Sequence, residues 1–229
     1  MAELLTLPFW VAVVEIIAVN ILLSGDNAVV IALACRNLTA RQRKLGILWG
    51  VLGAIVLRIV LTFFAMGLLV YPWLRLIGGV LLVWIGIKLI AQDDEGEHRV
   101  KASDQLSAAI WTIIVADLVM SLDNVVAVAA AAKGSLALLI FGLVISIPIV
   151  VVGSQIIMVL LGRFPLLVLA GGGLLGYIAG EMIVEDPVVK PWLSENAAGL
   201  PALTPPVLFG VVVIAGLWLV RRRRRAKAS

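Results

Sequence analysis

The amino-acid sequence predicts an all-α polytopic membrane protein with seven transmembrane helices: a 3+3 inverted-topology repeat plus one extra C-terminal helix. Composition is the first observation behind this prediction, because 62% of the 229 residues are hydrophobic and only 14% are charged. A soluble domain of this length does not need so much apolar mass. The second observation is that long apolar runs recur along the chain, and the third is an internal repeat. We therefore expect a single transmembrane domain over residues 1–229.

The apolar runs are each long enough to cross a bilayer as a helix, which needs about 20 residues. They are continuous, whereas strands of a membrane β-barrel alternate apolar and polar residues over about ten positions. A helix also satisfies its backbone polar groups within one segment, as lipid requires. The predicted spans are 9–35, 46–70, 73–91, 106–132, 136–161, 164–184 and 204–220.

Three features mark the boundaries of these spans. The start of the chain, MAELLTLPFW, has no basic segment before a short apolar core, so the first span is expected to be retained rather than cleaved as a signal peptide. The longest hydrophilic connection, 92–105, separates the third span from the fourth. Pro205 and Pro206 are expected in the first turn of the seventh helix, where a missing N–H matters least.

The lysines and arginines of the connections predict the orientation, because cytoplasmic loops carry an excess of them. One side of the membrane holds Arg36, Arg41, Arg43, Lys44, Arg99, Lys101, Arg163, Arg221 to Arg225 and Lys227. The other side holds Arg75, Lys133 and Lys190. The first side is therefore expected to be cytoplasmic, with the amino terminus outside and the carboxyl terminus inside. The basic tail, 221–229, is expected to contact anionic lipid rather than nucleic acid.

An internal repeat divides the chain into two three-helix units, 9–91 and 106–184. The segment IIAVNILLSGDNAVVIALAC (16–35) aligns with IIVADLVMSLDNVVAVAAAA (113–132) at an offset of 97, with eight of twenty positions identical. YPWLRLIGGVLLVWIGIKLI and FPLLVLAGGGLLGYIAGEMI also share a proline and two adjacent glycines. Because each unit has an odd number of spans, the second enters from the opposite side, which is typical of secondary transporters with a site near the midplane.

Both units carry polar residues inside their first span. In each, an asparagine or aspartate, a serine and an asparagine fall on one helical stripe at about 100° per residue. The candidate site residues are Asn20, Ser24, Asp26 and Asn27 in the first unit and Asp117, Ser121, Asp123 and Asn124 in the second. A charged residue at the bilayer centre costs about 2.5–3.5 kcal/mol on insertion scales, so such residues are functional candidates.

These side chains are oxygen donors, which suit Mn²⁺, Mg²⁺ or Ca²⁺. No histidine lies in a span, and Cys35 lies only at the end of one. A zinc or copper site is therefore not expected. An alternative is that the asparagines and aspartates hold helices together by hydrogen bonds, and the serines could bond their own backbone.

Two further charged residues in the spans are candidates for the ion pathway. Glu15 precedes Asp26 by 11 residues, which is about 16 Å along a helix, so it fits an outer vestibule better than the same ion site. Arg58 lies midway along the second span. It is either a structural partner of one carboxylate or a counter-ion that occupies the acidic site when no metal is bound.

NILLSGDNAVVIALA and DLVMSLDNVVAVA, in a short duplicated chain, resemble the TerC family of integral membrane proteins, nearest its YjbE-like branch. The family's acidic pairs map onto Asp26–Asn27 and Asp123–Asn124, and its additional acidic position maps onto Asp117. Asn20 is uncharged at the equivalent place of the first unit, and Gly25 departs from the leucine often found there. The resemblance implies manganese export across the bacterial inner membrane.

We therefore expect an Mn²⁺ exporter that works by alternating access, possesses no prosthetic group and exchanges the metal for protons. It is expected not to be an enzyme, and its expected partners are the lipid bilayer and the ion, with Ca²⁺ and Mg²⁺ as open alternatives. Three rivals remain at this stage. They are a membrane-embedded metalation or assembly factor, an exporter of another small solute such as an amino acid, and an intramembrane aspartyl protease with two facing carboxyl groups.

Overall fold

The computed structural model describes residues 10–11, 14, 25–68, 71–92, 102–131, 136–197 and 199–228. Within the helices, side chains are described except at 62–68, 102, 123–131, 136–139, 141–143, 145–146, 224 and 226–228. Among the described residues, every secondary-structure element of three or more residues is an α-helix. They are α1 (Gly25–Cys35), α2 (Ala40–Leu68), α3 (Leu74–Ala91), α4 (Ala102–Ala131), α5 (Leu136–Arg163), α6 (Leu166–Val184), α7 (Val189–Asn196) and α8 (Leu200–Ala228).

Five of the described helices, α2, α3, α4, α6 and α8, are long and apolar enough to cross a membrane. Two shorter apolar helical segments, α1 and the Ile147–Arg163 part of α5, accompany them. Large apolar side chains also cover the outside of the bundle, including Leu166 at 76% exposure, as lipid contact requires. The chain is thus a multi-pass helical membrane protein. The five long helices coincide with the second, third, fourth, sixth and seventh predicted spans, while much of the first lies outside the described residues.

Some predicted boundaries are wrong. Helix α8 begins at Leu200, so Pro205 and Pro206 lie inside the helix and not in its first turn. The reason is that Pro201 already takes the early position that tolerates a missing N–H. Helix α8 also continues through the basic residues to Ala228, so the predicted tail is a helical extension. Helix α4 begins at Ala102 rather than at 106.

The helices pack in two groups. Helix α2 packs along α4 and α1 along α5, with further contacts between α1 and α4 and between α2 and α5. Helices α3, α6 and α8 pack closely on one another. Glycines make this second group tight: a Cβ on Gly86 would lie 2.8 Å from the carbonyl oxygen of Gly172, and one on Gly176 would lie 2.5 Å from that of Leu208. Small residues allow such backbone approach between membrane helices.

The carboxyl ends of α1, α3 and α8 lie at one end of the bundle, where arginine side chains bind backbone carbonyl groups. This end is here called the basic end. Arg36 Nη2 donates to the carbonyl of Leu89 at 2.9 Å, and Arg223 Nη1 donates to that of Ala91 at 3.2 Å. Arg43 Nη2 donates to the carbonyl of Arg36 at 3.2 Å. Cationic groups favour helix carboxyl ends because the free carbonyls carry partial negative charge.

Asp186 joins α6 to α3 at the opposite end. It is 0% exposed, and its carboxylate accepts hydrogen bonds from the backbone N–H groups of Leu76 at 3.1 Å and Val188 at 3.0 Å. Trp73 N–H, just before α3, is 3.4 Å from the same carboxylate, and Trp73 has a left-handed φ of 70°. Asp186 therefore satisfies amino-terminal N–H groups of α3 that have no partner within the helix.

Candidate functional site

A small cavity of about 30 Å³ lies among α1, α2, α4 and α5, the helices that carry the predicted site. Most of its wall is aliphatic, with valine, isoleucine and alanine side chains from all four helices. Its polar lining consists of Asn27, Arg58 and Asp117. A cavity of this volume with polar groups in its wall has room for a water molecule.

Arg58 and Asp117 form a buried ion pair in this cavity. Arg58 is 6% exposed and Asp117 is 8% exposed, and Arg58 Nη2 contacts Asp117 Oδ1 directly. Ser121, which is 0% exposed, completes the network. Its hydroxyl accepts a hydrogen bond from Arg58 Nε at 3.0 Å and donates one to Asp117 Oδ2 at 3.2 Å.

The local sequence explains why these three side chains meet. Asp117 and Ser121 are one turn apart on α4, so they share a helix face. Helix α2 comes close to that face because it has glycines there: a Cβ on Gly50 would lie 2.7 Å from Ile113, and one on Gly53 would lie 2.6 Å from Ile114. Arg58 follows Gly50 by roughly two turns and Gly53 by roughly one and a half turns along α2, and it reaches across to the carboxylate.

Asn27 brings the first unit to the same cavity, and Asp26 lies next to it in sequence. Asn27 is 5% exposed and lines the cavity beside Arg58 and Asp117. The half-buried Asp26 accepts a hydrogen bond from the backbone N–H of Asn27 on its Oδ1, at 2.8 Å. Its carboxylate is repelled by the charge of Asp117 and attracted by that of Arg58. One carboxylate from each predicted unit therefore lies within electrostatic reach of the same arginine.

The remaining predicted site residues are described in part or not at all. Asp123 and Asn124 belong to α4, but their side chains lie outside the described residues. Glu15, Asn20 and Ser24 lie outside them entirely. The predicted meeting of Asp26 with Asp123 therefore stays a prediction.

For Arg58 and Ser121, the structure bears on the open alternatives. Arg58 has a defined carboxylate partner, Asp117, which agrees with an ion pair and also with a counter-ion that a metal displaces. The Ser121 hydroxyl forms hydrogen bonds with the side chains of Arg58 and Asp117. A hydrogen bond to its own backbone is therefore not needed to explain its burial. Among the described side chains, no group of three or more histidine, cysteine, aspartate or glutamate residues could hold a metal ion.

Two residues that the sequence analysis did not single out also matter here. Pro148 lies inside α5, next to the cavity-lining Ile147. Proline has no backbone N–H and so removes one hydrogen bond from a helix, which leaves α5 with one backbone bond fewer beside the cavity. Asp186 was also missed, although an aspartate followed by a proline at the end of an apolar run is a recognisable capping signal.

The fold and the site define an integral membrane protein whose helical bundle buries an ion pair and further polar groups beside a small cavity. Residues 5–226 match the model of the family described as "Integral membrane protein TerC family". The chain belongs to the TerC family, and the predicted resemblance is confirmed.

Relatives of the chain are bacterial membrane proteins. "Uncharacterized membrane protein YjbE" of Bacillus subtilis (strain 168) is 39% identical over 210 residues, which cover 92% of this chain and 95% of that protein. "Uncharacterized membrane protein YceF" of the same strain is 28% identical over 190 residues, 79% of this chain and 74% of that protein. "UPF0053 inner membrane protein YgdQ" of Escherichia coli (strain K12) is 27% identical over 135 residues, 51% of this chain and 56% of that protein. No solved structure matches with comparable significance.

Proposed function

We propose that the protein is a secondary transporter that exports Mn²⁺ from the cytoplasm through a site between the two three-helix units. The observation that carries the proposal is the buried Arg58–Asp117 pair beside Asn27 in a cavity between four helices, with the charges of both pair members acting on Asp26. Ionisable groups inside a membrane bundle are costly and mark ion pathways.

The charges of the predicted site fit a divalent cation. Arg58 neutralises Asp117 through direct contact, so the pair adds no net charge. Asp26 and Asp123 then contribute two negative charges, which a divalent ion balances. The available ligands are carboxylate, amide and hydroxyl oxygens, and these suit Mn²⁺ as well as Mg²⁺ and Ca²⁺. The family resemblance is what favours manganese among the three.

The inverted repeat gains support from the pattern of helix contacts. Exchange of the two units replaces α1 by α4, α2 by α5 and α3 by α6. Under this exchange the α2–α4 contact becomes the α5–α1 contact, and α3–α4 becomes α6–α1; all four are present. The α1–α4, α2–α5 and α3–α6 contacts map onto themselves and are present too. A two-fold repeat predicts these contacts, and the odd number of spans in each unit is what makes the repeat inverted, with the ion site where the units meet.

The arginines support the predicted orientation of the protein in the membrane, so that export would run away from the basic end. Arg36, Arg43 and Arg223 lie at the basic end, and the positive-inside rule assigns that end to the cytoplasm. The name of one relative, "UPF0053 inner membrane protein YgdQ", agrees with a bacterial inner membrane. In the proposed cycle, Mn²⁺ enters from the cytoplasm and binds the carboxylates of Asp26 and Asp123, while Arg58 keeps Asp117 neutralised. Protons neutralise the two free carboxylates after release.

Purified protein in liposomes that contain an Mn²⁺-quenched dye tests the proposal. Wild-type protein is expected to carry Mn²⁺ in preference to Mg²⁺, Ca²⁺ and Zn²⁺. The Mn²⁺ flux into the liposomes is expected to be faster when the lumen is the more acidic side, because protons then leave as Mn²⁺ enters. Asp26→Asn and Asp123→Asn are expected to abolish flux and keep the folded protein. Asp104→Asn is the matched control, because Asp104 is an exposed acid in the first turn of α4. Intact flux in both site variants would refute the site assignment.

The same preparation separates a transporter from a metalation or assembly factor. A factor that delivers metal to other proteins is expected to co-purify with a stable partner and to be silent in liposomes. Flux by the purified chain alone supports the carrier.

A further inference from the structure

A second cavity, of about 440 Å³, lies at the basic end, between the α1–α2 connection and the turn from α5 to α6. It is separate from the central cavity, with which it shares no lining residue. One wall is polar and carries Arg36, Asn37 and Arg43. The other is apolar and comprises Met158, Leu161, Gly162, Pro165 and Val168.

The polar wall is positively charged. Two arginines line the cavity, and none of its described lining residues is acidic. In both arginines, Nη2 donates to backbone carbonyls: that of Arg36 to Leu89, and that of Arg43 to Arg36 and Leu38. Arg43 Nε is buried and has no hydrogen-bond acceptor within the described part of the chain. These carbonyl contacts fix the guanidinium groups in place, as an anion site requires.

The apolar wall indicates what kind of anion fits. Met158 and Leu161 are both buried at 8% exposure or less, and they belong to a helix segment that is apolar enough to lie in lipid. A free phosphate would gain nothing from these side chains. A phospholipid places its phosphate beside the arginines and its first methylene groups on the apolar wall. Basic pockets between membrane helices on the cytoplasmic side bind anionic head groups in this way.

We propose that this cavity, here called the arginine pocket, binds the head group of one anionic phospholipid at the cytoplasmic face. The proposal does not depend on the transported ion, because it concerns different residues at a different depth in the bundle.

Native mass spectrometry of the purified full chain in detergent tests the proposal. Phosphatidylglycerol and phosphatidylcholine with the same acyl chains are titrated separately. Wild-type protein is expected to retain one phosphatidylglycerol with at least about tenfold preference, because both lipids carry the phosphate but only phosphatidylcholine adds a quaternary ammonium, which the arginines repel. Arg36→Gln/Arg43→Gln is expected to remove the preference. Arg41→Gln/Lys44→Gln is the matched control: it removes the same charge from exposed positions of α2 outside the pocket and is expected to keep the preference.

Because both arginines also bind helix ends, a second pair of variants leaves them intact. Gly162 lines the pocket, and a Cβ there meets no atom within 4 Å. Gly162→Glu places a carboxylate beside the arginines and is expected to abolish the preference, whereas Gly162→Gln adds nearly the same volume without charge and is expected to keep most of it.

Three results would overturn the proposal. They are equal retention of the two lipids by wild-type protein, an equal loss in Gly162→Glu and Gly162→Gln, and displacement of the bound lipid by millimolar inorganic phosphate. The last would show that the pocket takes free phosphate instead.

Discussion

The buried Arg58–Asp117 pair predicts strong coupling between two positions that are 59 residues apart. Arg58→Met removes the charge and keeps a flexible apolar stem. Asp117→Asn removes the opposite charge and keeps the shape. Each single variant leaves one buried charge without its partner, whereas the double variant leaves none.

The magnitude follows from burial and contact. The side chains of Arg58 and Asp117 are only 7% and 11% exposed, so solvent screens them weakly. Two unit charges about 4 Å apart interact by about 4 kcal/mol at an effective dielectric constant of 20. Loss of one partner of such a pair costs about 3–5 kcal/mol. The double variant is expected to cost less than the sum of the singles by at least about 2 kcal/mol, a coupling energy typical of contacting residues.

The chain provides its own reporter for this measurement. Cys35 is the only cysteine and is 0% exposed, so a thiol-reactive fluorescent dye labels it when the bundle opens. Melting in detergent then gives the stability of each variant. A cost of 3–5 kcal/mol corresponds to a melting temperature lower by on the order of 10 °C in a chain of this size.

Lys190 and Glu185 provide the matched control. Their charged atoms are 2.6 Å apart, but their side chains are 61% and 48% exposed. Exposed pairs contribute about 0–1 kcal/mol, so Lys190→Met is expected to change the melting temperature little. Additive costs in the Arg58 and Asp117 variants, or an Arg58→Met variant as stable as wild type, would show that the pair is not held together inside the bundle.

Two further stability predictions use the same dye. Gly180→Ala places its Cβ 2.5 Å from the Cα of Pro205 and is expected to cost about 1–3 kcal/mol as overpacking. Gly210→Ala meets no atom within 4 Å and is expected to be neutral or to stabilise by up to about 1 kcal/mol; equal melting of the two would contradict the α6–α8 packing. Asp186→Ala is expected to cost about 1–3 kcal/mol, because buried N–H groups lose their acceptor. Asp186→Asn keeps one oxygen and should lose less, whereas faster hydrogen exchange at the start of α3 is expected in both.

Most of the fold could be predicted from sequence because lipid constrains it strongly. A long apolar run has few options in a bilayer, and five described helices match five predicted spans. Helix ends were predicted less well because local capping decides them. Pro201 and the backbone contacts of Asp186 determine where α8 and α3 begin. Helix α7, which is short and near neutral in hydropathy, has no apolar run to predict it.

The candidate site, like the fold, could be predicted from sequence only in part. Helical spacing alone predicts that Asp117 and Ser121 share a face, and the repeat predicts that Asn27 approaches them. The partner of Arg58 could not be chosen from sequence, because several carboxylates lie at similar depth. Contact between α2 and α4 decides it, and that contact depends on Gly50 and Gly53, whose role emerges only when both helices are placed.

The packing of α1 on α5 can be tested directly, and the test bears on transport. A Cβ on Gly153 would lie 3.8 Å from the Cβ of Ala28, which is the mean separation in disulfides. In a Cys35→Ala background, Ala28→Cys/Gly153→Cys is therefore expected to form a disulfide rapidly with a membrane-permeant oxidant, seen as resistance to thiol labelling. Ala28→Cys/Gly210→Cys is the control and is expected to stay reduced, because Gly210 has no close neighbour.

Ala28 follows the cavity-lining Asn27, so this bond joins two walls of the central cavity, α1 and α5. If the ion passes between these walls, oxidation stops Mn²⁺ flux and reduction restores it within the same sample. A pair that does not cross-link would contradict the α1–α5 contact itself. Full flux in the oxidised protein would show that α1 and α5 move as one body, and the opening would then have to lie between α1 and α4, between α2 and α5 or between α2 and α4, the other contacts between the two units beside the cavity.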